Sequence, residues 1–304
     1  MRAQALQALC LTDPVQKIAA VNALHAAIAR SGCLDRAAGQ GDRFAVGQGR
    51  QCAAGPGTPS GQPCGIDSTA VLIPPATVPG RPAKPELVPP FNVKQRSPRS
   101  TQGLAALIHA LAHIEFNAIN LALDIIWRFP GMPEAFYTDW LQVAREEALH
   151  FDLLNRHLQS MGYQYGDFPA HDGLWEMAER TANDLMARLA LVPRTLEARG
   201  LDASPPVRAK LQSAGDTVGA GIIDIILRDE ITHVAIGNDW YRYVCEQQGL
   251  DPLTQYGVLA AQYRAPRLKG PFNLEARRAA GFTEAELDAL QSEPVATTVP
   301  QGLA

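Results

Sequence analysis

An all-α fold is predicted: a bundle of four long helices behind a short helical N-terminus and a Gly/Pro-rich arm. Three observations predict it. Apolar residues recur at helical spacing almost without interruption from Ser100 to Gln248. Within that span Gly and Pro stand mainly where turns are needed. Before it the composition changes sharply, with 9 Gly and 10 Pro in the 52 residues from Gly39 to Pro90.

Residues 1–38 form the N-terminal helical segment, in which Ile18, Val21, Leu24 and Ile28 keep helical spacing. Residues 39–99 are a connector or an extended arm laid over the bundle, because phrases such as Gly55-Pro56-Gly57 break helix and strand alike. Residues 100–249 are the bundle. Its first helix runs from about Thr101 to Phe129 and stops at Pro130-Gly131. The second runs from Pro133 to Met161, and the third from Gly173 to Arg199, with Pro193 as a kink and Gly200 as its stop. A short piece, Pro205–Ala214, leads into the fourth, from Asp216 to Gln248. Residues 250–304 are a C-terminal extension, where Thr283 and Glu286 have the spacing of a capping box.

Composition excludes several classes of function. Lys and Arg total 27 against 31 Asp and Glu, a net charge of -4, so no strongly basic field favours nucleic acid. The longest apolar stretches fall short of the ~18–20 residues a bilayer demands, and no membrane segment or signal peptide is expected. Five cysteines (Cys10, Cys33, Cys52, Cys64 and Cys245) lack paired short spacing, which suits reduced thiols in a cytoplasmic protein.

Charged residues stand where the helices are apolar. Glu115 shares a face with Leu111, Ala118, Ile119 and Ala122. Glu147 lies among Val143, Ala144, Phe151 and Leu154, with His150 three residues on; Glu230 lies among Ile223, Ile226, Leu227 and Val234, with His233 three residues on. Burying these groups costs several kcal/mol each unless a positive charge compensates, and a metal cluster is the natural compensation. The hexads Arg145-Glu146-Glu147-Ala148-Leu149-His150 and Arg228-Asp229-Glu230-Ile231-Thr232-His233 match in pattern. An upstream Glu precedes each, Glu115 by 32 residues and Glu197 by 33. Gly131 lies midway between Glu115 and Glu147, so an antiparallel hairpin brings them level. Glu197 fits less well, close to the expected stop at Gly200, and Glu176 and Glu179 are alternatives.

One Glu from each of two helices plus a Glu-x-x-His from each of two others is the ligand set of ferritin-like dimetal proteins. Residues 100–248 thus resemble the ferritin-like di-iron carboxylate superfamily, which includes the ribonucleotide reductase small subunit and bacterial multicomponent monooxygenases. His113-Ile-Glu115, the two hexads, Leu196-Glu-Ala-Arg199 and Gly270-Pro-Phe-Asn-Leu-Glu-Ala-Arg277 resemble, more narrowly, a bacterial ferritin-like family of unknown function. The resemblance implies Glu115, Glu147, His150, Glu197, Glu230 and His233 as metal ligands, with Glu147 and Glu230 as bridges. It also places Glu146 and Asp229, each preceded by Arg145 or Arg228, behind the ligands, where they orient a His or pair with Arg.

Carboxylate and imidazole donors suit two Fe ions, Mn, or a mixed Fe/Mn pair. The expected function is O2 activation by an oxygenase or oxidase acting on a small molecule or modified nucleoside, with an external electron donor. The alternative is iron handling, by a ferroxidase or peroxide-scavenging protein with no organic substrate. The arm and tail are material for a substrate cover or a homodimer interface. Arg264, Arg267, Lys269, Arg277 and Arg278 form a solvated basic face or, alternatively, a seat for an anion.

Overall fold

Capping signals divide the N-terminal segment into two helices. Asp13 accepts a hydrogen bond from the Gln16 amide at 2.9 Å, and Pro14 occupies the first turn, so α1 (Arg2–Cys10) ends and α2 (Pro14–Arg30) begins within a few residues. The computed structural model describes residues 1–31, 66–94 and 96–292, which are mostly helical and contain no strand; Leu87 and Ala170 form an isolated bridge. The part of the expected connector at residues 39–65 and three of the cysteines, Cys33, Cys52 and Cys64, lie outside the described residues.

Residues 66–94 run over the helices without regular structure apart from a 3-10 turn at Pro90–Asn92. Their backbone groups find partners outside the segment: Ser68 O accepts from the Gly131 amide, Leu72 O from Trp127 Nε1, and the Gly80 amide donates to Leu9 O. Buried Arg2 reaches Asp67 O and Ala70 O on this arm and Ile126 O and Trp127 O on the core. At Gly80 the arm passes so close to α1 that a Cβ there would lie 2.1 Å from Cys10 O, which only glycine permits.

The core is built from α3 (Thr101–Arg128), α4 (Glu134–Ser160), α7 (Ala198–Ser213) and α8 (Thr217–Gln247). Helix α3 packs on α4, α4 on α8, and α8 on α7, while α1 and α2 lie against α3 and α4. By length and composition α3 is apolar enough to cross a membrane, a property that counting uninterrupted apolar residues misses. Its most apolar window is 67% buried inside the protein, which marks it as a core helix.

The expected third helix is where sequence and structure differ. It is interrupted after α5 (Gly173–Arg180), and Asp184 caps a new helix, α6 (Leu185–Leu191). A π turn over Val192–Glu197 absorbs Pro193, and α7 continues through Gly200, Pro205 and Pro206 as far as Ser213. Proline lacks the N–H that would bond Leu201 O; Asn273 of the tail donates its side-chain N–H to that carbonyl instead, at 3.2 Å. The π turn also lies tightly on α8, where a Cβ at Gly237 would come within 2.6 Å of the Pro193 side chain.

The C-terminal extension contains α9 (Pro252–Gln262), α10 (Leu274–Ala279) and α11 (Glu284–Ser292). The Thr283–Glu286 capping box forms, with both reciprocal bonds present. Arg277 is not on a solvated face: it is 1% exposed and ion-paired to Asp202 of α7 at 2.6 Å.

Charged clamps tie the layers together inside the core. Asp124 of α3 is fully buried between Arg188 of α6 and Arg128, both ion-paired to it. Removing one partner of such a pair leaves a buried charge uncompensated. Asp124→Ala should therefore cost about 3–5 kcal/mol of stability. Arg208→Ala, which breaks an exposed pair with Asp224, should cost far less. Denaturant unfolding of the two variants checks the contrast, and equal losses would contradict it.

Candidate metal centre

Three helices deliver their apolar faces, and with them five ionisable side chains, to one point. Glu115 comes from the middle of α3, Glu147 and His150 from α4, and Glu230 and His233 from α8, and all five are buried. They form two groups whose donor atoms lie within 4.8 Å of one another: Glu115, Glu147 and His150, and Glu147, Glu230 and His233. Glu147, one of the two expected bridges, belongs to both. Glu230, the other expected bridge, belongs to one.

Glu197, from the end of the π turn, falls in neither group, yet its carboxylate interacts electrostatically with Glu147, His233 and Glu115. Its placement follows from the corrected helix. Because α7 runs on to Ser213, Glu197 lies sixteen residues before that end and Glu230 sixteen residues after Ala214. That repeats the spacing of Glu115 and Glu147 about Gly131. The alternatives, Glu176 and Glu179, are exposed on α5, and Glu179 accepts from Trp175 Nε1.

Both imidazoles turn Nδ1 inward. His150 Nδ1 is 3.4 Å from Glu115 Oε2 and 3.4 Å from Glu147 Oε2, and one N–H cannot serve both. His233 Nδ1 is 2.9 Å from Glu147 Oε1 but not in hydrogen-bonding alignment, so it stays unsatisfied. Buried oxygens of Glu115, Glu197 and Glu230 have no hydrogen-bond partner either. Buried polar atoms are rarely left so, and a cluster of four aimed at one region fits a site built for cations.

The outer nitrogens are crossed. His150 Nε2 donates to Asp229 of the other hexad at 3.1 Å, and His233 Nε2 donates to Glu146 of the other hexad at 2.8 Å. The acid of each motif thus orients the imidazole of its partner and leaves Nδ1 to face the cluster. Arg228 ion-pairs with Asp229 at 2.8 Å, whereas Arg145 is exposed. Two residues that sequence reasoning missed extend the network: Gln142 donates to Glu146 at 2.5 Å and contacts His25 of α2 at 2.8 Å. No motif marks them, although Gln142 precedes Glu146 by one helical turn.

Ionisation follows from this crowding. Burial, reinforced by repulsion from Glu147, pushes Glu115 up to about 8 and Glu197 up to about 8, and it raises Glu230 well above the usual carboxylate range. Burial acts on Glu147 in the same direction, but the His233 imidazolium 2.9 Å away and the bond from His150 outweigh it and hold Glu147 low. Burial disfavours charge on both histidines. At His150 the bond to Asp229 and the nearby carboxyls of Glu115 and Glu147 overcome it, and at His233 Glu147 and Glu146 do so, raising both.

The family described as "Protein of unknown function (DUF455)" matches residues 11–288. The chain belongs to that family. A protein of Haemophilus influenzae, named only as an uncharacterized protein, is 52% identical over 224 residues, 71% of this chain and 78% of its own length. No solved structure matches. Neither similarity carries an activity; the chemistry of the chain lies in the cluster.

Metal-free protein holds protons at Glu115, Glu197 and Glu230 that the unfolded chain, with carboxyls near 4.5, has already released by neutral pH. Their raised values make the folded state progressively less favourable as pH climbs from about 4.5 to about 8. The raised histidines act in the same sense: their contribution is complete below about 6.5 and is lost as pH rises through their folded values. The lowered Glu147 contributes above about 4.5 and loses that contribution only in stronger acid. Metal-free protein should therefore melt higher at about pH 5.5 than at about pH 8, with a smaller difference after metal loading. Scanning calorimetry of both forms checks it; a metal-free protein that gains stability toward pH 8 would contradict the clustering.

Proposed function

We propose that this chain is a dimetal carboxylate protein with a ferritin-like four-helix core, in which Glu115, Glu147, His150, Glu197, Glu230 and His233 hold two ions. One observation carries the reading: buried, unsatisfied donor atoms converge from α3, the π turn and α8 around Glu147 of α4, the residue common to both three-residue groups. Four carboxylates match the charge of two divalent ions, and the two inward Nδ1 atoms supply imidazole donors, a set suited to iron, manganese or one of each. Bound there, such a pair supplies redox chemistry with O2. The reading favours an oxygenase or oxidase acting on a small organic molecule in the cytoplasm, with electrons from an outside donor.

The chain's own groups prepare the site. Glu146 and Asp229 accept the outer N–H of each imidazole, fixing the tautomer whose Nδ1 lone pair faces inward. Phe116, Ile119, Ala144, Phe151 and Ile226 are buried on the helices that carry the ligands, and they keep water from the cluster. Without metal, protons on Glu115, Glu197, Glu230, His150 and His233 balance the charge, and ligation requires their departure. Iron handling without organic substrate is the second reading; the enclosed, apolar-flanked cluster speaks against it.

Reconstituted protein should bind two ions per chain and release several protons on loading at neutral pH. Elemental analysis and calorimetry in buffers of different ionisation enthalpy measure both. Glu147→Ala should abolish the pair and Glu176→Ala should not, whereas Asp229→Asn should weaken metal affinity about 10–100-fold. Loaded with iron and reduced, the protein should consume O2 once and stop. Sustained consumption on repeated Fe(II) additions, with ferric mineral appearing, would favour iron handling; one ion or none per chain would end the dimetal reading.

A further inference from the structure

The C-terminal extension encloses a cavity of about 570 Å³ on the far side of the π turn, within the range of small-molecule sites. Its walls divide by chemistry. One wall is α9, which contributes Tyr256, Gly257, Ala260 and Ala261, and the chain beyond it adds Phe282 and Leu290 together with arginines. Gly257 lies inside a helix with an ordinary backbone angle, where glycine is costly, and a Cβ there would meet nothing within 4 Å. The residue serves neither turn nor close helix packing; it leaves the cavity open.

The charge balance of these walls is uneven in a specific way. Glu286 is the acid lining this cavity, and it is already held by Arg194 and Arg242. An adjoining cavity of about 320 Å³ shares Arg267 and Leu268 with the first, and its acid, Asp202, is held by Arg277. Each wall acid thus neutralises a buried arginine. Arg264 and Arg267, with Arg199 and Lys269 next door, have no ion-pair partner among the described residues. Arg264 stands at φ 51°, the one non-glycine residue with positive φ among the described residues, at the point where the chain leaves α9 to form the rim.

We infer that this cavity binds an organic anion, an apolar or aromatic body with a carboxylate or phosphate at one end. The apolar body lies against Gly257, Ala260 and Phe282, and the anionic end faces Arg264 and Arg267. Glu286 and Asp202 do not compete for those two side chains, because they are engaged elsewhere. The inference does not depend on bound metal.

The full-length chain, metal-free and metal-loaded, is titrated with 8-anilinonaphthalene-1-sulfonate, an aromatic anion whose fluorescence reports burial, and with the neutral N-phenyl-1-naphthylamine. The anion should bind one per chain in both forms and more tightly than the neutral probe. The double variant Arg264→Gln/Arg267→Gln should weaken the anion about tenfold or more and leave the neutral probe nearly unchanged. Gly257→Phe, which fills the cavity without meeting backbone, should remove both, and Arg208→Gln should change neither. Displacement by decanoate identifies a carboxylate end, and displacement by 1-naphthyl phosphate a phosphate end. Absent anion binding, unchanged binding in Gly257→Phe or in the arginine variant, or displacement by neither competitor would overturn the inference. Binding in both metal states keeps this outcome separate from failure of the metal reading.

Discussion

Everything around the centre of this molecule answers to one constraint: carboxylates that share a dry space repel one another and cannot all ionise. Glu115, Glu147, Glu197 and Glu230 converge on one largely buried region. Metal-free, the chain settles the conflict by charging Glu147 and both imidazoles and leaving the other carboxyls protonated. In the proposed dimetal reading, two divalent ions would settle it by replacing those protons. The same cluster would then have two electrically balanced states, and moving between them would mean exchanging protons for metal.

The scaffold is arranged to hold these groups whichever state prevails. Asp124 locks α3 to α6 through Arg188, and Asp216 ties the start of α8 to the end of α4 by accepting from His157 at 2.9 Å. Arg277 joins the tail to α7. Each tie joins polar groups largely removed from solvent, weak evidence of net stability but a strong constraint on register, because misaligned helices would leave a buried polar group unpaired. Register is what the cluster needs, since its donor atoms come from segments more than a hundred residues apart.

Much of this was legible in the sequence where the signal is local. Helical periodicity located the long helices, and the apolar neighbours of Glu115, Glu147 and Glu230 placed these acids inside. Local signals failed where a distant residue compensates. Gly200 read as a helix stop and Pro205 as the start of a separate short piece, yet the helix runs through both, and Asn273, some seventy residues on, satisfies the carbonyl that proline abandons. Glu197 looked misplaced for the same reason. The basic tail read as solvated because the partners of Arg277 lie on another helix. That Glu146 and Asp229 back the ligands followed from the hexad pattern, but which imidazole each serves is set by how α4 and α8 align.

That crossing has a consequence for assembly. Each hexad lends its acid to the other's histidine, the reciprocity of a two-fold interface, where residue i of one copy meets residue j of the other and j meets i. The two Glu-to-Glu hairpins, each with sixteen residues on either side of its turn, share that symmetry. One hairpin alone would own an imidazole with no acid behind it and an acid with no imidazole to orient. Two copies laid face to face would supply both, so the smallest complete unit of this cluster is the pair of hairpins.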